Sequence, residues 1–158
     1  MTQPPRTARE VFYALVHGVA DRRYEDVVGL YAEQTRVEHP FDPLRAPALR
    51  SHDDLRAHFR PAATGEPEVH RQPANITVHD TTDPEVIVAE FEYQGTVVDT
   101  GEPFSLPCIF VVRVRDGHIV ASRDYIDYLA SARALGQLDE LVAATKATST
   151  VPTDSAGR

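Results

Sequence analysis

The sequence predicts an α+β domain: N-terminal helices packed on a strongly curved, mostly antiparallel sheet. Three observations carry this. Apolar residues recur at helical spacing through residues 7 to 31 and again at 51 to 59. From residue 69 onward the period changes to two, in runs rich in Val, Ile, Phe and Tyr. Helices first and hairpin-connected strands afterwards is an α+β order, not the alternation of a parallel α/β fold. A cone-shaped half-barrel of this kind leaves an apolar hollow between sheet and helices, where a small molecule can sit.

The elements follow in order. Residues 1–6 read as a disordered lead-in. A helix begins at Thr7, with Phe12, Leu15, Val16 and Val19 as its buried stripe. After Arg22 and Arg23 a second helix turns Val27, Leu30 and Tyr31 inward. Residues 35–39 form a short strand, stopped by Pro40 and a loop through Pro43 and Pro47. Ser51 caps a third helix, with Asp54 three residues on and Leu55 and Phe59 as its apolar face. Residues 61–68 are loop. Strands are expected over 69–79, interrupted at Pro73, and over 86–93, followed by a long polar connection from Gln94 to Pro103. Strands 104–115 and 118–128 then form a hairpin around Asp116 and Gly117. Leu129, Ala132, Leu135 and Leu138 mark one closing helix, and residues 145–158 a disordered tail. The folded unit is thus a single domain over 7–144.

Composition narrows the partners. At 158 residues, 42 % apolar and 25 % charged, the chain has the makeup of one soluble globular domain. A net charge of −8 without a Lys/Arg patch argues against nucleic acid and against an anionic membrane. Cys108 is the only cysteine and sits in an apolar run, so it reads as a core thiol rather than part of a metal cluster or a disulfide. No signal peptide or membrane-length apolar run is visible, which makes the cytoplasm the expected compartment. No HExxH, P-loop, GxGxxG or GxSxG occurs, so no metal and no organic cofactor is expected.

One residue breaks its own pattern. On the strand 118–128, Val120, Ser122, Asp124 and Ile126 share a parity, so Asp124 points toward apolar surroundings. A buried carboxyl is costly unless paired, and burial raises its pKa. It is therefore either half of a structural ion pair or a tuned acid/base group. His39 shares the inward face with Val37; if it meets Asp124 in one cavity, the two make an acid/base pair. Tyr93 ends the strand on the parity of Phe91 and offers a hydroxyl, whereas Glu90 and Glu92 face the other way. Tyr31, Val37, Phe91, Phe110, Ser122 and Ile126 complete the expected lining. The histidines at 52, 58, 70, 79 and 118 are scattered without ligand spacing, and His17 lies off its helix's apolar stripe.

Several motifs resemble a known family. The run DVVGLYAEQTRVEHP at 26–40 is similar to the helix-strand segment of ketosteroid isomerase, and FEYQG at 91–95 occurs there too. DGHIVASRDYIDYL at 116–129 resembles the last strand of limonene-epoxide hydrolase, and TTDPEVIVAE, RDYID and ARALG resemble the phenazine-biosynthesis A/B proteins. Together they resemble the SnoaL-like branch of the nuclear-transport-factor-2-like fold over residues 8–140, a branch that also holds polyketide cyclases. The resemblance implies roles residue by residue. The isomerase base falls on His39, its oxyanion-hole tyrosine on Leu15, and its protonated aspartate near Phe110. The hydrolase's catalytic aspartate falls on Asp124 and its water-binding asparagine on His39, while its Arg–Asp pair falls on Phe91 and Tyr93 and its water-binding tyrosine on Val37. A glutamate of the phenazine proteins also matches Asp124. The implied function is a cofactor-free isomerase or cyclase acting on a small hydrophobic carbonyl, polyketide or terpenoid-like compound of secondary metabolism. Epoxide opening is one alternative and a ligand-binding or dimerisation module the other. A homodimer is expected through the outer sheet face, where Val88, Val111 and Tyr125 mix with Glu90, Arg113 and Arg123.

Overall fold

Thr7 starts the first helix through a capping box: its hydroxyl accepts from the Glu10 amide, and the Glu10 carboxylate accepts from the Thr7 amide at 2.8 Å. That fixes α1 (Ala8–Ala20), which turns Val11, Phe12, Leu15 and Val16 into the core. Residues 4–60 and 67–148 are described by the structure, a computed structural model. Further elements are α2 (Tyr24–Val28), β1 (Tyr31–Glu38), α3 (His52–His58), β2 (Val69–Asp80), β3 (Val86–Val97), β4 (Pro103–Arg115), β5 (His118–Ile126), α4 (Tyr128–Ala134) and α5 (Leu138–Thr148). The five strands form one sheet in the order β1-β5-β4-β3-β2, antiparallel except for the β1–β5 pair. This is the helix-on-curved-sheet α+β architecture the sequence predicts.

Register sets the inner face. Phe110 lies opposite Asp124, Cys108 opposite Ile126, and Tyr93 opposite Leu106. Phe12 from α1 meets Phe91 edge-on at 5.3 Å, and Phe91 meets Phe110 at 4.9 Å, so an aromatic cluster joins the helix layer to the sheet. The β4–β5 turn has both Asp116 (φ 51) and Gly117 (φ 78) in the left-handed region, the geometry of a tight two-residue hairpin. A Cβ on Gly117 would come within 3.2 Å of the Arg6 nitrogen and 3.4 Å of the Pro5 side chain. The end of the expected lead-in is therefore laid against this turn.

Several boundaries differ from the sequence reading. β1 starts at Tyr31, which opens the strand opposite Ile119 instead of closing a helix. β2 runs through Pro73 without a break: it is an edge strand, where a missing N–H can face outward, and the irregularity falls instead between Ala74 and Thr77 around Asn75 (φ 52). β3 continues to Val97, so the polar connection shrinks to residues 98–102. β5 stops at Ile126 because Asp127 caps α4, accepting from the Ala130 amide at 2.9 Å. The closing helix is two helices, separated at Gly136 (φ 67), and the second carries residues 145–148 of the expected tail. Residues 149–158, the loop 61–66 and residues 1–3 lie outside the described residues. No helix among the described residues is long and apolar enough to cross a membrane.

Candidate functional site

Between α1, α3 and the inner sheet face lies a cavity of about 820 Å³, within the size range of small-ligand pockets. Leu15, Tyr31, Tyr93, Phe110 and Ile126 form much of its apolar wall, and Asp124 and His39 reach it from neighbouring strands. Asp124 is only 5 % exposed. Ser122, two residues earlier on the same face of β5, donates its hydroxyl to Asp124 Oδ1. Burial raises the Asp124 pKa to about 7, with the Ser122 bond acting in the opposite sense by favouring the carboxylate. The group is thus poised to gain or lose a proton near neutrality.

His39 follows the last residue of β1, where Pro40 prevents extension and the Asp42 amide bonds the His39 carbonyl at 3.0 Å. Its Nε2 stands 4.0 Å from Asp124 Oδ2, too far for a hydrogen bond and close enough for electrostatic coupling. The His39 side chain is 8 % exposed. Burial lowers its pKa, with nearby Asp42 acting in the opposite sense, so His39 is neutral at pH 7. Asp124 and His39 therefore do not form an ion pair at neutral pH.

A third titratable ring joins them. His58 stacks on His39 with ring centroids 5.1 Å apart and lines the same cavity. Loss of water around its ring, and then the His39 charge, lower its pKa to about 4. Ligand spacing, which His58 lacks, is the wrong signal for such a residue. A usable one exists: it lies three residues after Leu55, the buried anchor of α3, and so shares its inward side. His52, also on α3, instead braces the helix to β1 by bonding the Tyr31 carbonyl at 2.9 Å.

The other expected lining residues divide. Tyr31, Tyr93, Phe110 and Ile126 line the cavity. Burial holds the phenols of Tyr31 and Tyr93 well above the usual tyrosine range, so both are neutral hydroxyls. Val37, Phe91 and Ser122 do not reach the cavity. Val37 is covered by its bridge to Leu49, Phe91 is enclosed by Phe12, Tyr93 and Phe110, and Ser122 acts behind Asp124. Cys108 is a buried thiol whose pKa burial pushes up to about 12, an inert wall group. Among the described residues no group of three or more His, Cys, Asp or Glu side chains is arranged to hold a metal ion.

On the outer sheet face, Ile109 (43 % exposed), Tyr125 and Phe41 border a second, apolar groove. Two charges expected to await a partner there are satisfied within the chain. Arg113 bonds Asp83 and Glu85 at 2.9 Å each, and Glu90 bonds His79 at 2.7 Å.

Comparison with known proteins fits this picture. A SnoaL-like domain profile matches residues 12–122, more than half of the chain. The uncharacterized protein YesE of Bacillus subtilis is 40 % identical over 60 residues, covering 38 % of this chain and 41 % of YesE. The match therefore spans well under half of that relative. The crystal structure of a candidate isomerase from Bacillus subtilis shares the fold with a TM-score of 0.72 and 25 % identity, over 82 % of this chain and 93 % of that one. A candidate polyketide cyclase from Pseudomonas putida gives a TM-score of 0.65 at 15 % identity, over 82 % and 98 %, a likeness of fold alone.

Proposed function

This chain belongs to the SnoaL-like domain family, and on that footing we propose that it is a cofactor-independent acid/base enzyme of the isomerase or cyclase type. The observation that carries the reading is Asp124: a buried carboxyl on an apolar cavity wall, with no cation among the described residues at hydrogen-bond distance and a pKa near 7. A base with that pKa is matched to proton transfer at neutral pH. The substrate is a small hydrophobic carbonyl compound of polyketide or terpenoid type.

In the proposed cycle, ionised Asp124 takes a proton from the carbon next to the substrate carbonyl, and the C–H electron pair moves into an enolate. A neutral hydroxyl, from Tyr31 or Tyr93, donates to the enolate oxygen where charge develops. The protonated Asp124 then returns the proton to another carbon, giving an isomer; alternatively the enolate carbon attacks a second carbonyl, closing a ring, and the proton goes to the new alkoxide. Either route balances without a redox partner. Neutral His39 beside the carboxyl donates or accepts at the substrate's second polar group. Epoxide opening is less well served, because the positions of the hydrolase Arg–Asp pair hold Phe91 and Tyr93.

A simple ketone can stand in for the natural substrate in the test. Small cyclic ketones such as α-tetralone are incubated in D2O, and loss of the α-proton signal is followed by NMR. The expected result is enzyme-dependent exchange that falls at least about 100-fold in Asp124→Asn. Exchange that persists in the folded variant would remove Asp124 from the chemistry. Binding of such ketones without any exchange would instead make the chain a ligand-binding module. We also propose a homodimer through the outer face, now resting on apolar Ile109, Tyr125 and Phe41, with Arg123 as the charge left from the expected set. Sedimentation equilibrium should give a dimer at micromolar concentration; a monomer would count against it.

A further inference from the structure

One stretch of the cavity wall carries a chemistry that proton transfer at carbon does not use. Arg22, Arg60 and Arg71 line it, and besides Asp124 the only carboxylate among the described lining residues is Glu68. Glu68 is taken: Arg22 bonds it at 2.7 Å and also donates to the Val69 carbonyl at 2.7 Å. Arg60 lies exposed on the rim. Arg71 is half-buried, and no carboxylate among the described residues pairs with it.

Its placement is built in. Arg71 sits opposite Gly95 in the β2–β3 ladder. A Cβ at Gly95 would stand 1.8 Å from the His70 carbonyl oxygen and 2.8 Å from Arg71 Cα, so only glycine lets β2 come this close. The Arg71 guanidinium lies over the Tyr93 ring, 4.9 Å from its centroid. Tyr93 and Cys108 lie in the fields of both Arg71 and Asp124, although Arg71 does not pair with Asp124. The two groups thus flank one patch of wall. Of the other arginines on the sheet, Arg36, Arg113 and Arg115 are paired with carboxylates and Arg123 lies exposed on the outer face, in a chain whose net charge is −8. A lone guanidinium on an aromatic wall is the exception.

We infer that Arg71 receives the carboxylate of an amphipathic substrate, whose apolar body lies along Tyr93 toward Asp124. This rests on the acid/base reading and deepens it: the small carbonyl substrate also carries a carboxylate, so it is a hydrophobic keto acid, not a neutral ketone. A guanidinium fork fits a planar carboxylate in two parallel bonds, with Tyr93 holding the fork in place. A neutral polyketide or terpenoid would leave this cation without a partner.

Matched probes test it. 2-Naphthoate and its neutral methyl ester share size and shape, and their binding to the whole protein is measured by calorimetry at pH 7.5. Wild type should prefer the acid by about 10- to 100-fold. Arg71→Met should abolish that preference while leaving the ester's affinity unchanged, and Arg71→Lys should retain only part of it. Thermal unfolding checks that each variant is folded. Equal affinities in wild type, a preference that survives in Arg71→Met, or no binding of either probe would each overturn the inference. Asp124→Asn separates it from the acid/base reading, because the acid preference should survive there. Preference without Asp124-dependent exchange would sink the enzymatic reading alone; ketone exchange without preference would sink the carboxylate site alone.

Discussion

Asp124 and Glu85 are both carboxylates beside the same sheet, and the fold moves them in opposite directions. Asp124 is stripped of water, has a neutral hydroxyl as its bonded partner, and rises to about 7. Glu85, at the solvent edge before β3, accepts from Arg113 at 2.9 Å and from two nitrogens of Arg115 at 2.9 Å each, and falls to about 2. Desolvation without a cation makes a proton exchanger; cations without full desolvation make a permanently charged clasp. The contrast shows where reactivity is stored. Under the acid/base proposal it lies where the fold withholds a partner, at Asp124, and not in an ion pair such as that of Glu85.

Asp124→Asn tests the first half of that contrast most severely. Because burial favours the protonated acid, the folded pKa stands above that of the unfolded chain, which is about 4. The stability that Asp124 contributes is complete below about pH 4 and is lost as pH rises through about 7. The amide carries no such penalty. Asp124→Asn should therefore match wild type near pH 4 and exceed it by up to about 4 kcal/mol at pH 8, read by urea unfolding. His39 and His58 have the opposite sign, losing stability as pH falls through their lowered pKa values. They are present in both proteins, so the difference reports the aspartate together with its coupling to His39. A loss of about 3–5 kcal/mol at pH 8 would mean instead that Asp124 serves as one half of a buried ion pair.

How far the sequence foretold this contrast varies by residue. The β4–β5 hairpin was legible because alternation and an Asp-Gly turn agree, and Asp124 stood out as a carboxylate on an apolar parity. His58 was not, since α3 has a single buried residue and so a weak periodicity. Arg71 was hidden in an edge strand of mixed residues, where alternation is too faint to tell inside from outside. The start of β1 was masked by exposed Glu33 and Gln34, and α5 by having no buried residue. Val37 and Phe91 were placed on the correct face, but parity cannot tell a residue under a neighbour from one at a cavity.

A smaller change sharpens the same contrast. Ser122→Ala removes the hydroxyl donor to Asp124 Oδ1, a bond that favours the ionised form. A hydrogen bond of this kind contributes about 1 kcal/mol, so the Asp124 midpoint should move upward by about one pH unit. Carbon-detected NMR of the aspartate carboxyl would follow it directly. In the exchange assay, where ionised Asp124 is the proposed base, the rise of rate with pH should move to higher pH by the same amount. A downward move would show that the hydroxyl favours the acid form.

The smallest effect belongs to Glu85→Gln, on the other side of the comparison. Glu85 has a folded pKa pulled below its unfolded value by the Arg115 and Arg113 bonds. Its contribution is present above the unfolded pKa, about 4.3, and is lost as pH falls toward about 2. The sign is thus the reverse of Asp124, and the window lies on the acid side. Because the group stays at the solvent edge, water and salt screen its pairs strongly. Glu85→Gln should lower the melting temperature slightly at pH 7 in dilute buffer, and the difference should vanish both in 1 M NaCl and at pH 2. The exchange rate should not change, since Glu85 is absent from the cavity wall. A large loss that persists in high salt would mean that the clasp fixes the β2–β3 turn by geometry rather than by charge.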